Sequence, residues 1–248
     1  MNHEANFHLI IQARMTSTRL PGKVMLPLCG KTVLEIMFER LNKYRNNIII
    51  ATTNDGSELP IINLCKSQGI KFFQGSVDNV LERYYFCALS HQIKMDDIVV
   101  RITSDCPLID VGLVDKCIMM YRMNKYDYVS NRLNRTVPIG MDVEVFSMQL
   151  LNEVYSNANE EFEKEHVTPY IYISKKDDYK LGSCEEGNNN SKYRLTLDEH
   201  CDYEVIKEVY RKFDWKTDFN YNELIEVLNS NPYITELNCN VSQKQLIK

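Results

Sequence analysis

The residues best suited to chemistry sit early in the chain. Positions 12–23 read QARMTSTRLPGK, which places Arg14, Arg19 and Lys23 close together among the hydroxyls of Thr16, Ser17 and Thr18, with flexible Gly22 beside the lysine. Guanidinium forks take phosphate oxygens in pairs, an ammonium acts as a point charge, and backbone N–H groups fill the gaps. Such a loop can cradle a triphosphate. A merely solvated basic loop is the alternative, but three cations after a first strand, in a chain of formal charge −5, favour the cradle. Neither GxxxxGK[ST] nor GxGxxG occurs, which disfavours a P-loop kinase and a dinucleotide-dependent dehydrogenase.

A triphosphate under attack needs a divalent cation to offset charge on the reacting phosphate and the departing pyrophosphate. Its ligands should be hard carboxylates at strand ends. DIVVRITSDCPLID supplies Asp105 just beyond a buried strand, and YRLTLD supplies Asp198 in a similar setting. In GMDVEV, Asp142 and Glu144 alternate with apolar neighbours, which predicts both carboxylates on one strand face. There they could bond sugar hydroxyls or an ammonium, or simply meet solvent. His166 in KEHVTPY is a further candidate for acceptor binding, although a lone histidine is more often structural. Arg132, Arg135 and Arg194 could pair with an acceptor carboxylate or phosphate.

These residues need elements to hold them. Short apolar runs at 8–13, 47–53, 70–73, 97–102 and 126–130 read as strands, and amphipathic stretches at 32–45, 58–68, 77–93 and 111–123 read as helices. Thr32 and Glu35 stand at capping-box spacing, and Gly69 ends the second helix. This alternation predicts an α/β fold: a Rossmann-like, doubly wound, mostly parallel sheet with helices on both faces. Ligands then bind beyond the carboxyl ends of the strands, which selects loops 12–23, 52–57, 74–79 and 103–110. The second half is less regular: strands at 143–146, 170–175 and 193–198, a polar loop at 185–193, and helices at 202–213 and 220–231.

Composition narrows the class. No run of eighteen apolar residues is present, and MNHEANF lacks the basic start and apolar core of a signal peptide, so a cytoplasmic chain is expected. The eight cysteines are scattered without metal spacing and are expected to be reduced and buried. The acidic balance gives no global attraction to nucleic acid or to a membrane surface.

Six segments, taken in order, carry a resemblance: ARMTSTRLPGKVMLPLCGKTVLEIMFERL (13–41), GSVDNVLERYY (75–85), RITSDCPLID (101–110), PIGMDVEVF (138–146), KEHVTPYIY (164–172) and RLTLD (194–198). They resemble the cytidylyltransferases that make CMP-activated acidic sugars, namely the CMP-Kdo synthetases and acylneuraminate cytidylyltransferases, and most of all their spore-coat-polysaccharide branch. The resemblance implies a nucleotide-diphospho-sugar-transferase fold as one domain over 1–248, with about 131–192 forming an acceptor-binding and dimerisation lobe. It implies CTP and a small acidic acceptor as substrates, Mg2+ on Asp105 and Asp198, and a homodimer. It also implies a nucleotide pocket drawn from Ala13, Arg14, Thr16, Ser17, Arg19, Lys23, Ser76, Asn79, Arg83 and Thr103. Catalysis would rest on Arg14, Lys23 and Asp105, and acceptor contacts on Asp142, Glu144, His166 and Arg194. Two departures stand out. Position 103 is Thr where the CMP-Kdo branch carries Gln, and Asp198 is followed by EHCD, which makes Asp202 the alternative second ligand. A transferase for a phosphonate or phosphate acceptor is the nearest rival. A glycosyltransferase of the same architecture is the next, although TSDCPLID lacks its DxD metal motif.

Overall fold

Strands flanked by helices on both sides must be apolar on both faces, and IIIATT (48–53) is buried at every position. A computed structural model describes residues 6–242. The first half runs β1 (Phe7–Gln12), a small hairpin of β2 (Pro27–Leu28) and β3 (Lys31–Thr32), α1 (Val33–Arg40), β4 (Ile48–Thr53), α2 (Leu59–Gln68), β5 (Lys71–Gly75), α3 (Val80–Ser90), β6 (Ile98–Thr103) and α4 (Val111–Arg122). The second half runs β7 (Tyr128–Ser130), β8 (Glu144–Ser147), α5 (Met148–Asn157), α6 (Glu161–His166), β9 (Leu181–Ser183), α7 (His200–Lys212), α8 (Tyr221–Ser230) and α9 (Tyr233–Glu236).

Seven strands form one sheet in the order β5-β4-β1-β6-β8-β7-β9. β1 pairs in parallel with β4 and β6, and β4 with β5. Only β8 runs against its neighbours, pairing antiparallel with both β6 and β7. The carboxyl ends of β1, β4, β5 and β6 therefore share one edge, as the alternation predicts. One face packs Leu34, Phe38, Ile61, Cys65, Val114 and Cys117 from α1, α2 and α4. The other packs Leu81, Tyr84, Leu151 and Val154 from α3 and α5. A third core, around Ile36, Leu197, Val205, Val209 and Leu224, fixes α7 and α8 to the outside of α1.

Local signals hold where they have a mechanism. The Thr32 hydroxyl accepts from Glu35 N–H while the Glu35 carboxylate accepts from Thr32 N–H, and Gly69 closes α2 in the left-handed region. All eight cysteines are free thiols.

Other expectations fail in the second half. Residues 170–174 form a single wide helical turn, not a strand. Pro169 starts the segment in helical backbone, and Lys175 N–H reaches back to Tyr170 O at 2.9 Å. The 193–198 segment is extended but joins no sheet strand. A single bridge ties Arg194 to Ile139, and Leu197 N–H is taken by Asp105 O at 2.8 Å. α1 also ends at Arg40, short of 45, and a 3-10 stretch, Asn42–Asn47, completes the connection.

Candidate active site

The loop after β1 folds back on itself. Met15 O accepts both Ser17 N–H and Gly22 N–H, at 3.0 and 2.8 Å, and Gly22 adopts φ 69°, a conformation glycine takes without steric cost. The turn aims Lys23 inward while Arg14 and Thr16 stay exposed. Lys23 Nζ then donates to Asp105 Oδ2 at 3.0 Å and to Asp198 Oδ1 at 2.9 Å. Three parts of the chain thus meet at one ammonium: the loop after β1, the loop after β6 and the segment before α7.

Each carboxylate is oriented by further donors. Thr103 Oγ1 donates to Asp105 Oδ1 at 2.6 Å. Asp198 Oδ2 faces Arg19 Nη2 at 3.1 Å and Arg194 Nη2 at 3.2 Å, and Arg19 also lies 3.4 Å from Glu199. Burial disfavours the charged forms, but the mutual attraction outweighs it. Lys23 titrates above the ordinary lysine range, and Asp105 is held down at about 2.

The backbone carrying Asp198 is fixed by close contact. Gly140, at φ 98°, lies against residues 195–196 so tightly that a Cβ there would fall 2.3 Å from Thr196 N. A glycine is the residue that permits this approach.

Several expected site residues are committed elsewhere. Asp142 is not in a strand: β8 begins at Glu144, and Arg135 grips Asp142 through two bonds of 2.6 and 2.8 Å. Glu144 is 1% exposed, so the shared acceptor-binding face predicted for the two acids does not form. Glu144 instead accepts from Arg101, from Tyr128 Oη at 2.7 Å and from Thr168 Oγ1 at 2.8 Å, with Arg132 at 3.5 Å. Burial alone would raise its pKa, but Arg101 and Arg132 bring it down to about 2. Arg101 Nη2 also donates to Gln12 Oε1 at 3.0 Å, which ties this network to the end of β1. Sequence reasoning passed over Arg101, although a charge inside the run IVVRIT is the mark of a buried ion pair.

Arg194 is likewise engaged, donating to Asp202 through Nε and Nη2 at 2.9 and 3.0 Å. Asp202 is fully buried, accepts from Asn238 at 2.8 Å and caps the start of α7, so its oxygens are engaged within the fold. Ser76 Oγ and Asn79 Oδ1 are spent on Asn79 N–H and Glu82 N–H, which shapes the entry to α3. His166, at the end of α6, is half-buried beside Glu165, and burial lowers its pKa. Ala13 is buried at the base of the loop, donating its N–H to Ala51 O.

Among the described residues, no group of three or more His, Cys, Asp or Glu side chains is disposed to hold a metal ion. The site is a two-carboxylate one. That donor set suits a hard cation that takes its other ligands from phosphate oxygens and water, which is how Mg2+ is ordinarily held.

A sheet of this order, with a cation-rich loop and paired carboxylates on its carboxyl edge, is the architecture of a nucleotidyltransferase. The chain belongs to the cytidylyltransferase family, whose model matches residues 8–231. It is 36% identical over 234 residues to the spore coat polysaccharide biosynthesis protein SpsF of Bacillus subtilis, covering 90% of this chain and 94% of that one. It is similar to the structure of a cytidylyltransferase from Leptospira borgpetersenii at a TM-score of 0.88 and 34% identity, covering 98% and 100% of the two chains. A CMP:2-keto-3-deoxy-manno-octonic acid synthetase solved in complex with CTP shares the fold at a TM-score of 0.63 and 14% identity, over 84% of this chain and 100% of that one. No described helix is long and apolar enough to cross a membrane.

Proposed function

We propose that the protein transfers CMP from CTP to a small acidic acceptor, an acidic sugar for a surface-polysaccharide precursor, in a magnesium-dependent reaction that releases pyrophosphate. The observation that carries this reading is the meeting of Asp105 and Asp198 on Lys23 Nζ, at the mouth of the loop bearing Arg14 and Arg19.

In this reading the triphosphate lies along residues 13–23. Lys23 and Arg14 stabilise negative charge as it develops on the α-phosphate and the leaving pyrophosphate, where fixed cations act in a partly desolvated cleft. Arg19 holds the outer phosphates. Thr103 keeps one oxygen of Asp105 oriented, and Arg194 does the same for Asp198. Asp105 and Asp198 would hold the Mg2+, which when bound offsets phosphate charge and polarises the reacting centre. The acceptor oxygen attacks the α-phosphorus in line, and the bond to pyrophosphate breaks. Positioning and electrostatics supply the rate, with no covalent intermediate on the protein. Arg132, His166 and the Arg135–Asp142 pair are the candidates for contacts to the acceptor. A cytoplasmic homodimer is proposed on the family resemblance.

The test is pyrophosphate release across the four nucleoside triphosphates. Each is paired with acidic sugars and with phosphorylated or phosphonate acceptors, with Mg2+ present or chelated. Release that needs CTP, an acidic sugar and Mg2+ supports the proposal. Equal turnover with another triphosphate, or turnover that survives chelation, overturns it.

A further inference from the structure

Gln12 closes β1 at the carboxyl edge of the sheet, just ahead of the basic loop. Ile10 belongs to the core under α3 and α5, while Leu9 and Ile11 belong to the core under α1, so alternation puts the Gln12 side chain on the α3/α5 face. Arg101 and Glu144 share that face, since their chain neighbours Val100, Ile102, Val143 and Val145 all pack into the opposite core. Arg101 Nη2 donates to Gln12 Oε1 at 3.0 Å, and Arg101 is itself clamped by Glu144. A guanidinium carries donors and no acceptor, so the amide can meet it only through oxygen. Nε2 must therefore turn away from Arg101. Among the described residues that nitrogen finds no acceptor, and it is not shut away from water, because the Gln12 side chain is only partly buried. A donor held in a fixed orientation stands open at the ligand edge.

Position narrows what this donor can meet. Gln12 stands in register with Thr103, whose hydroxyl holds Asp105 at 2.6 Å, so the amide neighbours the two-carboxylate site on its α3/α5 side. The basic loop leaves on the other side. Val24 packs with Leu34 and Phe38 of α1, and Leu197, next to Asp198, packs with Ile36 in the core outside α1. In the reading above the pyrophosphate departs along that loop, and an in-line displacement brings the nucleophile in from the opposite side. The acceptor then enters over the face that carries Gln12. The Arg101–Glu144 network runs the same way, from Gln12 toward Arg132 and Thr168 and away from β4 and β5. Among the oxygens of an acidic sugar, those of the carboxylate accept without donating, which suits an N–H that can only donate.

Resting on the function proposed above, we propose that Gln12 is a specificity-determining contact for the acceptor: Arg101 holds its amide so that Nε2 donates to the carboxylate of an acidic sugar lying beside Asp105.

The experiment measures steady-state pyrophosphate release for the wild type, Gln12→Met and Gln12→Glu. The acceptor probes are 2-keto-3-deoxy-manno-octonic acid and N-acetylneuraminic acid, and thermal melting establishes that each variant is folded. Glutamate keeps an oxygen for Arg101 but brings no N–H, so it separates donation to the acceptor from support of Arg101, and it remains informative if the methionine variant does not fold. The expected result is that both variants raise the acceptor KM about tenfold to a hundredfold, the scale of one hydrogen bond to a charged group, while Gln12→Met leaves the CTP KM within about twofold of the wild type. A wild-type acceptor KM in Gln12→Glu would mark Gln12 as a tether for Arg101 and overturn the inference. A CTP KM raised alone, or as much as the acceptor KM, in Gln12→Met would put the amide on the nucleotide and overturn the inference without touching the functional reading. A wild type that releases pyrophosphate with neither sugar would overturn the functional reading, and this inference with it.

Discussion

Replacing Gly140 with alanine tests how the segment bearing Asp198 is held. The added Cβ would lie 2.3 Å from Thr196 N, 2.5 Å from Leu195 C and 2.7 Å from Thr196 Cα, all backbone atoms that cannot rotate away. The residue also sits at φ 98°, outside the region open to L side chains. Left-handed strain costs about 1–3 kcal/mol, and forced movement in a packed interior a similar amount, so the combined loss should be about 2–5 kcal/mol. In a chain of this size that lowers Tm by about 5–15 °C. Urea unfolding at constant m-value measures the loss, and CTP-dependent turnover measures the displacement of Asp198. Gly187→Ala is the control, since nothing lies within 4 Å of a Cβ there and the change should stay within about 0.5 kcal/mol. A Gly140→Ala protein as stable as that control would refute the close approach as the constraint on this segment.

Three further outcomes follow from the same geometry. Asp105→Asn and Lys23→Ala should each reduce turnover with CTP by about 100- to 1,000-fold, the scale of one strong electrostatic group, as read from steady-state pyrophosphate release. Glu144→Gln leaves Arg101 and Arg132 without their shared carboxylate and should cost about 3–5 kcal/mol in chemical denaturation. Acid should act through that same group. Because its folded pKa, about 2, is depressed, its contribution is fully present above the unfolded value of about 4.3 and is lost as pH falls through about 2. Denaturation midpoints recorded from pH 6 to pH 2 should therefore fall more steeply for the wild type than for Glu144→Gln.

Much of this protein was legible in the chain. Largely apolar, β-branched runs such as IIIATT and IVVRIT have to be buried on both faces, and the helical stretches between them have to cover a parallel sheet. The carboxyl edge, and with it the basic loop and Asp105, follow from that alternation alone. The 170–175 and 193–198 segments misled because short apolar stretches fit a strand or a helix equally well, and only their neighbours decide between them. Pro169 and the Tyr170–Lys175 bond settled the first, and the single bridge from Ile139 settled the second.

The pairing of charges lay beyond the sequence. Composition offers many partners for each carboxylate, and the choice depends on which side chains the packing leaves within about 3 Å and out of water. Packing gave Asp142 to Arg135, Glu144 to Arg101 and Arg132, and Asp202 to Arg194, while Asp105 and Asp198 met on Lys23. Residue types and their order determined the sheet, its ligand edge and the cation-rich loop, because burial and periodicity act locally. The tertiary structure alone decided which acids face one another, because desolvation and Coulomb attraction act between groups that the chain brings together only on folding.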